Sequence, residues 1–471
     1  MRKGDKLMKT RIEKDPLGKK AIPENAYYGI QTLRATENFP VSKIKHPFLF
    51  IKAYAMVKKA AALANSEVGW LDKERKQTII QACDEILEGK LLDQFVVDVY
   101  QAGAGTSFNM NVNEVVANRA LELIGKKKGD YQSIGPNDHV NMGQSTNDTF
   151  PTATHIAVLL ALQPLLEELD CIAAAFEKLG GKHSMTAKSG RTHLQDAVPI
   201  TIGQEFSAYA SALRNTCDHL RVQQKNLYPL ALGGTAAGTG ANAHPKYKPL
   251  AIAELAKMTG FPLKPAENAF EALQSCRPLQ TVSSALKELA LELIRIANDL
   301  RLMSSGPTTG LAEIELPPVQ PGSSIMPGKI NPVMAECLNM VAFQVVGNDL
   351  TISLAVQAGQ MDLNVMMPVI MHNMLFSISI LTNYLPVFRR KCVEGIAVNK
   401  KRCAQYLEKN PALATFLSPY IGYLEAARIA KQALEEGRSV KEIALEKGLL
   451  KREDLERILD PKRFLNDKGD K

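Results

Sequence analysis

Aromatic residues are scarce in this chain, at 6% of 471 residues with a single tryptophan. A nucleic-acid surface of the stacking kind needs aromatics interleaved with basic residues. The basic clusters here, Lys126-Lys127-Lys128, Arg389-Arg390-Lys391 and Lys400-Lys401-Arg402, are short and dispersed and form no such stripe. The net charge of +8 is therefore read as a mild field that favours a small dianionic substrate, with no nucleic-acid partner. Cysteine is sparse too. Its seven copies, with no Cys-x-x-Cys, predict reduced thiols and a cytoplasmic protein. A long apolar run is missing: Ile156 to Leu162 is too short to span a bilayer, which excludes a membrane protein. The charged start, Met1 to Lys6, leads into no apolar core and is not a signal peptide. No His-Glu-x-x-His and no clustered His/Cys set is present, so no metal site is expected.

What is abundant is helical periodicity. Val282, Leu286, Leu289, Leu293, Ile296 and Leu300 recur at steps of three and four, with charged residues on the other faces. Similar segments run from about 154 to 179, 204 to 227, 334 to 360 and 369 to 392, with breaks or kinks expected at Pro164 and Pro386. Several are apolar on more than one face and must be buried all round. That predicts a helical bundle shared between subunits, hence a homo-oligomer. Strand patterns are confined to short runs near the N-terminus. The fold class read here is all-α, in three domains: 1–145, a central long-helix domain 146–397, and a small helical domain 398–471.

Four polar segments punctuate the helices: Gly103 to Asn111, Gln144 to Asp148, Gly190 to Asp196, and Gly322 to Pro332. Small hydroxyl and amide residues at helix ends are ordinarily caps and turns, and each of the first two segments alone can be that. The last cannot be helix interior, with Pro321, Pro327 and Pro332 around Gly322, Ser323, Ser324 and Gly328. Backbone N–H groups and hydroxyls followed by Lys329 and Asn331 suit a carboxylate. The loop is not a phosphate-binding P-loop, because the glycine spacing is one residue too long and Ile330 stands where Ser or Thr is required. His193 sits among Arg191, Thr192, Gln195 and Asp196, so one turn offers an anion-binding cation and several hydrogen-bonding groups. A lone histidine of this kind is otherwise structural.

Together the four segments resemble the aspartase/fumarase superfamily of lyases, whose signature matches Gly322 to Pro332. Gly103-Ala104-Gly105-Thr106-Ser107, Ser145-Thr146-Asn147-Asp148 and Ala26-Tyr27-Tyr28-Gly29 are similar to the aspartase branch. The resemblance implies a three-domain subunit, a homotetramer around a central helical bundle, and active sites assembled from three subunits. It implies reversible elimination of ammonia from L-aspartate to give fumarate through an aci-carboxylate intermediate. Ser323 is then the base, and His193 and Thr192 meet the β-carboxylate. Lys329 and Asn331 hold the α-carboxylate, while Ser324 lies in the donor loop. Thr106, Ser145, Thr146 and Asn147 face the amino group or carboxylates. No cofactor is implied, although divalent cations activate some members.

Departures bear on substrate choice. Met367 stands where aspartases commonly carry Glu and fumarases Lys or Arg, and Asn410 to Thr415 follows neither pattern. The alternatives are a class II fumarate hydratase, which expels water, and a non-catalytic scaffold of the same superfamily.

Overall fold

The computed structural model describes residues 9–460. Helix dominates among them, with four two-stranded ladders. They form two compact units, one comprising the chain up to Leu166 with Asp218–Glu288 and Gln344–Leu381, the other Glu167–Cys217, Leu289–Phe343 and the chain from Thr382.

In the first unit an antiparallel hairpin, β1 (Thr10–Asp15) and β2 (Gly18–Pro23), precedes two core helices, α1 (Phe48–Glu67) and α2 (Thr106–Leu123). Alanines on α1 (Ala53, Ala55, Ala60, Ala61) are fully buried. Their small side chains let neighbouring helices approach closely. The five long helices expected from periodicity follow: α3 (Thr146–Lys182), α4 (Ile202–Gln223), α5 (Arg277–Met303), α6 (Val333–Gln357) and α7 (Met367–Lys391). On α5 the periodic set from Val282 to Leu300 is at most 1% exposed.

Neither Pro164 nor Pro386 ends its helix; both lie inside, and α3 also runs through Pro151. A helical proline forfeits one backbone hydrogen bond and costs about 3 kcal/mol. Leu162, Leu165 and Leu169 around Pro164, and Leu385 and Phe388 around Pro386, are all fully buried. At roughly 1.5–3 kcal/mol per buried side chain, that burial outweighs the loss.

A second correction is the hairpin of the second unit, β3 (Ala187–Thr192) and β4 (Gln195–Thr201), which sequence periodicity did not reveal. Lys188 and Ser189 are buried where alternation would call for apolar residues, and the register shifts at Ser189/Gly190. Beyond it lie α8 (Lys400–Lys409) and the short α9 (Val440–Glu446), opened by a Ser439–Glu442 capping box.

The third correction is α6, which is long and apolar enough to cross a membrane by length and composition. Scattered polar residues hide it from a search for apolar runs. Those residues are buried and bonded: Asn348 Nδ2 donates to Ser377 Oγ (2.9 Å), and Asp349 pairs with Lys287 (2.6 Å). Outward, Met340, Phe343, Leu350 and Leu354 are each more than half exposed. With Gly347 between them they repeat at steps of three and four, the spacing of a coiled-coil seam.

Candidate active site

The first two polar segments meet in the first unit. Gly105 precedes α2 with φ +89, and an added Cβ there would lie 2.1 Å from the Phe150 ring. Only glycine permits that approach. It sets Thr106, exposed, as the first residue of α2, where it lines a cavity of about 760 Å³ with Ser107, Asn137 and Asp138. One turn on, Asn109 Nδ2 donates to Thr146 Oγ1 at 2.9 Å and joins the two segments.

Ser145 is a helix cap. Its Oγ accepts the N–H of Asn147 (3.2 Å), while Asp148 Oδ1 accepts the N–H of Ser145 (3.0 Å), a reciprocal arrangement that satisfies orphan donors of α3. The other oxygen of Asp148 accepts the N–H groups of Gly233 and Thr235, both at 2.9 Å. Burial pushes the Asp148 carboxyl up to about 7 against these bonds. Asn147 Nδ2 donates to the carbonyl of Ala236 at 2.7 Å. Thr146 is buried, so of these four candidates Thr106 is the exposed one.

Beneath both segments lies Lys58, fully buried on α1. Its Nζ donates to Asn109 Oδ1 (2.8 Å), Asn141 Oδ1 (3.0 Å) and Gln144 Oε1 (2.9 Å). Burial depresses its proton affinity to about 7, with the charge of Asp148 opposing. Sequence reading missed Lys58, because a lysine beside Lys59 in a helix reads as a solvated face.

The other two segments lie in the second unit. His193 and Leu194 form the tip of the β3–β4 hairpin with φ of +56 and +59. Left-handed residues at both central positions are what a two-residue turn between twisted strands requires. Thr192, His193 and Leu194 are thereby exposed. Arg191 corrects the sequence reading, because it does not stand free to bind an anion. Its Nη1 contacts both carboxylate oxygens of the fully buried Glu313, at 2.9 and 3.0 Å, and Lys188 lies 3.2 Å from the same carboxylate. The hairpin is pinned further by buried Asn410, which donates to Ser189 Oγ (3.0 Å) and the Ala197 carbonyl (2.7 Å). The atypical Asn410-Pro411 stretch thus acquires a structural role.

In the Gly322 to Pro332 loop, Gly322 N donates to the Lys329 carbonyl at 2.8 Å, and an added Cβ on Gly322 would lie 2.4 Å from that oxygen. Asn331 Nδ2 donates to the Gly322 carbonyl at 2.6 Å and closes the loop. Ser323 Oγ accepts the N–H groups of Ile325 (3.2 Å) and Met326 (3.0 Å). Ser324 and Lys329 are exposed. Ser323, Lys329 and Ile330 line a recess of about 460 Å³.

Met367 opens α7 with its sulfur 3.4 Å from the Cys276 thiol, both buried in the first unit. The thioether fills this apolar position with a soft, polarisable contact. None of the seven cysteines forms a disulfide. Among the described residues, no group of three or more His, Cys, Asp or Glu is placed to hold a metal ion.

This site has recognisable relatives. A family profile described as lyase matches residues 18–347, and one described as the fumarase C C-terminus matches 413–466. The chain belongs to the aspartase/fumarase family of lyases. Within this lyase family it is 53% identical over 452 residues to an aspartate ammonia-lyase of a Bacillus species, covering 96% of each chain. It is 48% identical to the aspartate ammonia-lyase of Escherichia coli K12, covering 97% of this chain and 96% of that one. Among solved structures, the fumarate lyase:delta crystallin from Brucella melitensis bound to cobalt has 49% identity and a TM-score of 0.95, over 97% of this chain and 100% of that one. A class II fumarase from Schistosoma mansoni has 36% identity and the same TM-score, over 98% and 100%.

Proposed function

We propose that this lyase eliminates ammonia from L-aspartate to give fumarate. The supporting observation is identity of 48–53% to aspartate ammonia-lyases over nearly the whole chain, against 36% to the class II fumarase. It is a carbon–nitrogen lyase acting on a small molecule.

The chemistry starts from a weak acid, the Cβ–H of aspartate. Ser323 Oγ, as its alkoxide, takes that proton and becomes a hydroxyl, and the electron pair passes into the β-carboxylate as an aci-carboxylate. Its collapse forms the Cα–Cβ double bond and expels the amino group, which is in its ammonium form, as ammonia. A serine oxygen is a poor base in water, but two backbone N–H groups already point at Ser323 Oγ. Hydrogen bonds to the charged form favour it, so these donors lower the proton affinity of Ser323 and make its alkoxide accessible. Lys329, on the same loop, meets the α-carboxylate, with Asn331 beside it. His193 and Thr192, at the hairpin tip, meet the β-carboxylate. Ser324 belongs to the loop, and Thr106, with Ser145, Thr146 and Asn147, faces the amino group or the carboxylates. The substrate's own carboxylate is the electron sink, so the reaction needs no cofactor.

The segments meet in a homotetramer, each site drawing on different subunits. The apolar seam of α6 supports this, since Met340, Phe343, Leu350 and Leu354 would each contribute roughly 1.5–3 kcal/mol when covered. A soluble, cytoplasmic location accords with seven cysteines that form no disulfide. Fumarate absorbance, followed with L-aspartate and with L-malate, tests the reading. Production from aspartate is expected. Production from malate alone would make the chain a fumarate hydratase, and none from either would make it a scaffold.

A further inference from the structure

The second unit contains a cavity of about 610 Å³ that shares no lining residue with the hairpin tip or the Ser323 loop. Its polar lining is three lysines, Lys182, Lys400 and Lys441, and three hydroxyls, Ser184, Thr186 and Ser439. Lys441 is shared with Glu456 at 3.0 Å in a surface ion pair, an arrangement held by about 1 kcal/mol or less. Lys182 and Lys400 have no such partner among the described residues. Both are close enough to one imidazole, His183, to lower its proton affinity, burial being the larger cause. His183 is 5% exposed, and its Nε2 has no hydrogen-bond partner. Its Nδ1 lies 3.5 Å from Thr186 Oγ1, in the cavity wall. The remaining wall is apolar, from Met185, Leu407, Leu413 and Leu459, with Glu408 the one carboxylate.

We propose that this cavity binds a small phosphate monoester carrying an apolar body. Three ammonium groups and the hydroxyls of Ser184 and Thr186 are enough to surround the terminal oxygens of a phosphate, with Ser439 held in its capping box with Glu442. Lysine binds phosphate as a compact point charge, and three of them match the higher charge of a phosphate monoester better than the single charge of a carboxylate. The methionine and leucine wall removes the body from water. Glu408 repels a second anionic group. Nothing in the elimination reaction uses these residues.

The test is a ligand-observed NMR titration of the intact protein with phenyl phosphate, inorganic phosphate, phenylacetate and benzyl alcohol. Phenyl phosphate should bind saturably, at least about tenfold more tightly than the other three. The Lys182→Met/Lys400→Met double variant should weaken it by about tenfold or more while leaving aspartate turnover unchanged. Thr186→Val alone should weaken it less. Equal binding by wild type and double variant would place the ligand elsewhere and overturn the proposal, as would absence of saturable binding. Phenylacetate binding as tightly as phenyl phosphate would make this a carboxylate site and also overturn it. Binding is read directly, so an error in the assigned reaction leaves the result intact.

Discussion

The ammonium of Lys58 lies 2.8 Å from Asn109 Oδ1, and Asn109 passes the contact to Thr146 through its amide nitrogen. One buried charge thereby holds two segments of the candidate site at fixed separation. Lys58→Met leaves Asn109 Oδ1 and Gln144 Oε1 without their donor, each at a cost of about 1–3 kcal/mol, while Asn141 Oδ1 still accepts from Asn109 and Asn113. Removing the desolvated charge recovers part of this. We expect kcat/KM for aspartate to fall at least about tenfold, with a lower midpoint in thermal melts. Unchanged activity would show that Lys58 serves packing alone.

Asp148 links the same region to pH. Its carboxyl is raised from 3.8 to about 7 by burial, so the native state holds the proton more tightly than the unfolded chain. Its contribution is full below about pH 4 and is lost as pH rises through 7. The stability difference between wild type and Asp148→Asn should therefore shrink from pH 4.5 to pH 8. Each tenfold difference in proton affinity between the two states is worth about 1.36 kcal/mol, so the change is of order 1–4 kcal/mol. Urea unfolding of both proteins at the two pH values measures it, and a difference that grows with pH would reverse the sign.

Ser323 and Lys329 share a loop but have different assigned roles, and kinetics separates them. Ser323→Ala should lower kcat by at least about a hundredfold with a smaller change in KM, as for loss of a base. Lys329→Ala should raise KM strongly instead. Near-normal turnover by Ser323→Ala would remove Ser323 as the base.

Gly105 has both a left-handed backbone and no room for a Cβ against Phe150. Gly105→Ala should destabilise the protein by about 3 kcal/mol or more, since strain and overpacking add. Thermal melting and the yield of soluble protein read this out, and a fall in activity should accompany it.

Leu350, 63% exposed at the middle of the α6 seam, tests the assembly. Leu350→Glu would place a charge in each covered seam, so sedimentation should show dissociation and turnover should fall with it. A variant that stays assembled would take the seam out of the interface.

The helices were legible in the sequence because burial imposes a three-to-four spacing that any amphipathic helix must display, as from Val282 to Leu300. The loop from Gly322 to Pro332 was legible because three prolines and two glycines forbid helix there. Its composition alone suited it to an anion. Other features depend on partners distant in sequence. Glu313 takes Arg191 out of the anion site from more than a hundred residues away. Lys58 is buried only because Asn109, Asn141 and Gln144 converge on it. The β3–β4 hairpin hides because its inward residues are a lysine and a serine, satisfied by Glu205, Glu313 and Asn410. Local periodicity reports which face is apolar. Which polar group is neutralised, and so which remains free to bind, is decided by electrostatic and hydrogen-bond partners that only the tertiary fold brings within 3 Å.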